Sequence, residues 1–153
     1  MVDAVVKTID VPCTPKTAFE IFTRDMGKWW PRDKHSVSAM SCETAKSVTM
    51  EPHVGGAVTE IGYDGTNHNW GSVKDFDPHS HLALLWHINK PADQATLVDV
   101  NFDAADSGTR VTLKHHGWEV LGEEAQGQRD GYNAGWVFVF ETKFAQACET
   151  VNA

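Results

Sequence analysis

The chain has 153 residues, 41% of them hydrophobic and 22% charged, and a formal net charge of −8. This is ordinary globular usage, and the length suits one domain, expected over residues 1–153. The acidity, with no cluster of Lys or Arg, argues against nucleic acid or an anionic membrane as partner, and three scattered cysteines without a CxxC argue against a disulfide framework or zinc knuckle.

The opening MVDAVVKTID lacks the basic-then-apolar pattern of a secretion signal, and no apolar run approaches the ~20 residues of a membrane span. Reduced thiols at Cys13, Cys42 and Cys148 and a cytoplasmic location are the expectation. Residues 4–11, rich in β-branched side chains, predict a first strand. Thr14-Pro15 then reads as a helix start, Thr14 capping and Pro15 at the first helical position. Phe19 and Phe22 share a face of that short helix, and a second short turn carries Trp29-Trp30-Pro31. Residues 32–45 are small and polar and read as a loop.

Strands follow in quick succession. Lys46–Glu51 is followed by a turn at Gly55-Gly56, then AVTEIGY, and Asp64-Gly65 marks a hairpin into NHNWGSVKDFD. HLALLWHI stops at Asn89-Lys90-Pro91, and ATLVDVNFDA and TRVTLKHHGW form a last pair around Asp106-Ser107-Gly108. After Trp118 the hydrophobic period changes from two to about 3.6, the mark of an amphipathic helix. Its stripe is Tyr132, Trp136, Val139, Phe140, Ala147 and Val151. Gly127, Gly131 and Gly135 each weaken a helix by about 1 kcal/mol relative to Ala, which places its ordered start nearer Gln128. Hairpin-length connections require antiparallel pairing, so the fold class is α+β.

This order of elements resembles the START/Bet v 1-like (SRPBCC) superfamily, and within it the branch of the heat-shock-protein-90 ATPase activator C-terminal domain. The segments that carry the resemblance include Pro15–Phe22, Trp29-Trp30-Pro31, GGAVTEIGYDG, WGSVKDFDP, TRVTLKHHGWE and YNAGWVFVFETKF. It implies a helix-grip fold: a seven-stranded curved antiparallel sheet around a long C-terminal helix, with a cavity between them. It also implies apolar ligands for some members, co-chaperone contacts for others and enzymatic cyclisation or hydrolysis for others still.

Strand alternation assigns the inward face. Val111, Leu113 and His115 point together, as do Val98, Val100 and Phe102, and Trp86 lies with Leu82, Leu84 and Ile88; these sets define the concave face. In AVTEIGY the alternation is mixed: if Val58 points inward, Glu60 does too, and a buried carboxylate needs a partner. Pairing with His68 or His115 would make it a polar handle; a place at the sheet edge in water, or backbone hydrogen bonds, would make it structural. Trp70 precedes Gly71, where a bulge or a close backbone approach is expected. Of the adjacent Trp29 and Trp30, one is expected in the core and the other at the mouth. The candidate pocket is therefore Trp29, Trp30, Glu60, His68, Trp70, Trp86, Val100, Phe102, His115, Trp118, Tyr132 and Trp136. His79 and His81 form an HxH in a turn without further ligands, so no metal and no cofactor are expected, and no catalytic residue is assigned.

Three functions follow as expectations. The first is binding of a small apolar or amphipathic ligand in an internal cavity between sheet and C-terminal helix. The second is a chaperone-activator-like module with a protein partner or a second copy. The third is an enzyme using Glu60 and His115.

Overall fold

A computed structural model describes residues 2–151; the side chain of Val151 lies outside the described residues. Strand β1 (Val5–Val11) leads into α1 (Pro15–Phe22), where Thr14 Oγ1 accepts from the Thr17 N–H at 3.2 Å and Pro15 occupies the first turn. Helix α2 (Met26–Trp29) is a single turn. A loop with a 3₁₀ turn at Ser38–Ser41 connects it to β2 (Ser47–Met50), β3 (Ala57–Ile61), β4 (Asn67–Asp77) and β5 (His81–Trp86). Strands β6 (Thr96–Ala105) and β7 (Gly108–His116) complete a seven-stranded sheet of order β1-β7-β6-β5-β4-β3-β2, antiparallel throughout.

Two bulges curl this sheet. Val58 pairs with Gly71 and Thr59 with Asn69, so Trp70 is the extra residue on β4. A Cβ on Gly71 would lie 1.8 Å from the Leu85 carbonyl oxygen, so only glycine lets the two backbones approach there. The second bulge falls between Val73 and Asp75. The residues predicted to point inward on β5, β6 and β7 are all buried on the concave side.

The grip is closed by α3 (Ala125–Trp136), a π-helical stretch (Val137–Phe144) and α4 (Ala145–Val151), preceded by a 3₁₀ turn at Trp118–Glu124. The helix begins at Ala125, three residues before the expected start. Burial of Trp118, Leu121 and Ala125 anchors this end, so tertiary packing overrides the low propensity of Gly127. The buried residues Trp136, Phe140, Phe144 and Cys148 recur at steps of four. An α-helix advances 100° per residue, so each such step drifts about 40° around the axis. The wider i→i+5 turns of the π stretch correct that drift and keep the ladder on the sheet.

Candidate functional site

The interior between sheet and helix is filled with aromatic rings. Trp30 lies 5.3 Å from Trp70, 5.8 Å from Trp86 and 6.0 Å from Trp136, centroid to centroid. The enclosed cavity expected there is thus largely occupied by indoles. The open space lies beside it, as a cleft of about 430 Å³ between the helix and the loop after α2. Tyr132, Trp136 and Val139 form its helical wall, together with Gly127, Gly131 and Gly135 on one face at steps of four. The opposite wall is Lys34, His35, Ser36, Ala39 and Met40. Trp30 lies beneath, and Ile88, Asn89 and Lys90 close the end beyond β5.

Glu60 builds the loop wall. Its side chain is fully buried, and its carboxylate accepts from Val37 N–H at 2.7 Å, Ser38 N–H at 2.9 Å, the Ser38 hydroxyl at 2.7 Å and Trp70 Nε1 at 3.1 Å. Charge-assisted bonds of this kind are about twice as strong as neutral ones. Arg32 donates to the carbonyls of Ala45 and Lys46, which ties the other end of the loop down. The Trp30 indole donates to the His35 carbonyl at 2.6 Å and sets the turn between them.

The expected pairing of Glu60 with His68 or His115 is not formed. His68 sits across from Glu60 in the strand register, but its ring lies against Gly62 and the Asp64 carboxylate and makes no hydrogen bond to Glu60. His115 Nδ1 accepts from Trp136 Nε1 at 3.0 Å, which leaves Nε2–H to donate to Thr96 Oγ1 at 2.7 Å; that hydroxyl donates in turn to the Trp86 carbonyl. The hydrogen-bond pattern thus assigns one neutral tautomer. Burial, aided by the neighbouring His116, pushes the His115 pKa down to about 3. The adjacent His116 faces the opposite side and bonds Asp99 at 2.6 Å.

Of the other expected pocket residues, Trp30, Tyr132 and Trp136 line the cleft. Trp86 and Trp118 meet Tyr132 around a separate void of about 10 Å³. Trp86 Nε1 donates to the Tyr132 hydroxyl at 3.3 Å, and burial raises the pKa of that phenol. Trp29, Trp70, Val100 and Phe102 are core residues that do not reach the cleft. Trp29 packs on Phe22 and Phe144 and donates to the Ile21 carbonyl.

The sequence reading missed the whole loop wall, Lys34 to Met40, and the strand exit at Ile88–Lys90. The available signal was the four-residue spacing of the three glycines, which marks a helical face without side chains.

Sheet, grip helix and lateral cleft define a helix-grip α+β protein. The family model for the activator of Hsp90 ATPase homolog 1-like protein matches residues 12–149, and the chain belongs to that family. Among solved structures it is similar to the anthrahydroquino-γ-pyrone synthase Txn09, solved in complex with SUM, at 27% identity and a TM-score of 0.63 over 95% of this chain and 96% of that one. It is also similar in fold to the Aha1 dimer from Colwellia psychrerythraea, at 18% identity and a TM-score of 0.69 over 99% and 100% of the two chains. Protein MLL2253 from Mesorhizobium loti gives 16% identity and a TM-score of 0.66 over 94% and 95%. No curated protein matches the sequence significantly. Among the described residues no helix is long and apolar enough to cross a membrane.

Proposed function

We propose that the protein binds a flat apolar or amphipathic small molecule in the cleft between α3 and the loop of residues 34–40. The observation that carries this reading is a cleft of about 430 Å³ based on Trp30 and Trp136 and widened by three glycines of one helical face. That volume falls in the range of about 300–1,000 Å³ usual for small-ligand sites. Indole faces favour a planar aromatic guest through offset or edge-to-face contacts. Similarity to a synthase whose name describes a fused aromatic pyrone supports such a guest.

A titration with an anthraquinone, followed by tryptophan emission, tests the reading. Saturable quenching is expected in the wild type. It should be lost in Gly131→Leu, whose Cβ meets nothing within 4 Å and whose side chain would occupy the cleft that Gly131 lines. Equal quenching in both proteins, or none in either, would sink the proposal.

Family membership favours a second reading, an interaction module for an Hsp90 homologue, with Met40 exposed at the cleft lip as the first contact to test. An Hsp90 ATPase rate unchanged by the protein would remove it. Catalysis by Glu60 and His115 finds no support, because neither side chain lines the cleft.

A further inference from the structure

The charged lining of the cleft is chemically one-sided. Its charged lining groups are Lys34 and Lys90, and no carboxylate lines it, although the chain as a whole carries −8. Lys90 is paired to Glu124 at 3.1 Å; Lys34 has no ion-pair partner among the described residues. His35 stands next to Lys34 on the loop wall. Of the eight histidines it alone lines this cleft.

The loop holds the His35 backbone on both sides, through its N–H to the Pro31 carbonyl and its carbonyl to Trp30 Nε1. The imidazole, by contrast, has no hydrogen bond on either nitrogen among the described residues. It rests on Phe138 at 5.8 Å and faces Gly135, where a Cβ would come within 3.4 Å of Cε1. The charged groups around it are Asp33 and Lys34 on its own loop and, from the helix, Lys143 on the Phe138 ring. A half-buried neutral imidazole without a protein partner at the edge of an aromatic cleft offers one nitrogen as acceptor to a donor on a guest.

Building on the proposed small-molecule cleft, we infer that its occupant is an aromatic compound bearing a phenolic or enolic hydroxyl, which donates to His35 with the cationic Lys34 beside it on the same wall. Burial holds the His35 pKa below its ordinary value, partly opposed by Asp33, so the ring is a neutral acceptor at and above about pH 6.5. A site built around such a hydrogen bond rejects the analogue that lacks the hydroxyl.

The probes are 2-naphthol and 2-methoxynaphthalene, which share a ring system and differ in the donor. Calorimetric titration of the intact chain at neutral pH is expected to show about tenfold tighter binding of the naphthol. His35→Leu should abolish that preference and leave the methyl ether bound within about twofold of wild type, while Lys34→Gln should reduce the preference. In the wild type the preference should persist to about pH 6.5 and vanish in stronger acid, where protonation takes away the acceptor nitrogen. Equal binding of the two probes by the wild type, or a preference that survives His35→Leu, overturns the assignment and leaves the cleft reading intact. Failure of both probes to bind overturns both.

Discussion

Glu60 converts a buried charge into loop architecture. Four donors surround it, two of them backbone N–H groups of a segment more than twenty positions earlier in the chain. Glu60→Gln keeps the shape but turns one acceptor oxygen into an NH₂ group facing donors. A loss of about 3 kcal/mol is expected, the cost of unpairing buried polar groups around a missing charge. Urea unfolding would measure it, and faster hydrogen exchange at Val37 and Ser38 would locate it; an unchanged midpoint would contradict the anchoring role. Alternation in β3 is mixed and tied Glu60 only to the side of Val58; the structure buries both, and backbone N–H groups, one of the alternatives, meet the carboxylate. Its partners were not legible, because they come from a loop whose sequence has no period. His115 was legible in the same way, as a residue alternating with Val111 and Leu113. Above about pH 6.5 its ring is neutral in folded and unfolded chains alike. With its folded pKa pushed down to about 3, acid protonates the unfolded chain first, and stability falls as pH drops below about 6.5, by at most ~1.4 kcal/mol per pH unit. His115→Gln, able to accept from Trp136 and donate to Thr96, should be less stable at pH 7 but lose less between pH 6 and 4. Parallel slopes in urea titrations at the two pH values would refute this.

At the scale of elements, α3 trades helical stability for open space. Gly127 and Gly131 adopt ordinary helical backbone, and a Cβ at either position meets nothing within 4 Å. Alanine should therefore stabilise the chain by up to about 1 kcal/mol per site, through helix propensity and a less flexible unfolded state. The double variant Gly127→Ala/Gly131→Ala is expected to raise the thermal midpoint and weaken binding of an anthraquinone by narrowing the cleft. A higher midpoint with unchanged affinity would show that the glycines do not shape the site. Local signals placed the elements well: Thr14-Pro15, Asp64-Gly65 and Asp106-Ser107-Gly108 each mark a boundary that the structure respects. The cleft lay beyond such signals. It forms where the loop after α2 meets a helix face about a hundred residues later, and no period in either segment encodes that meeting. The glycine spacing was visible and was read only as a weakness of the helix. The π stretch was equally hidden, since it answers a four-residue repeat that a regular α-helix would carry off the sheet.

For the whole molecule, the order of elements and the inward faces followed from turn chemistry and alternation, while the filling of the interior did not. Six indoles suggested a hollow; five of them instead fill it by touching each other. Trp29 and Trp30 come from the end of α2, Trp70 from β4, Trp86 from β5 and Trp136 from α3, so one ring cluster joins α2, two neighbouring central strands and the grip helix. Trp118 meets the same packing through Tyr132, 5.7 Å away. The sheet cannot expose its concave face without parting these rings, and the helix cannot leave without taking Trp136 from Trp30, Trp86 and His115. Unfolding should therefore be a single transition, with tryptophan emission shifting to the red at the same urea concentration at which far-ultraviolet circular dichroism is lost, as two-state behaviour requires. Trp136→Ala removes the ring that links helix to sheet and should cost about 3–5 kcal/mol. If the helix is held mainly by that ring, the variant will also separate the two signals, the indole emission changing before the sheet's dichroism. Separate midpoints in the wild type would instead mean that helix and sheet melt independently, and that the tryptophan cluster does not couple them.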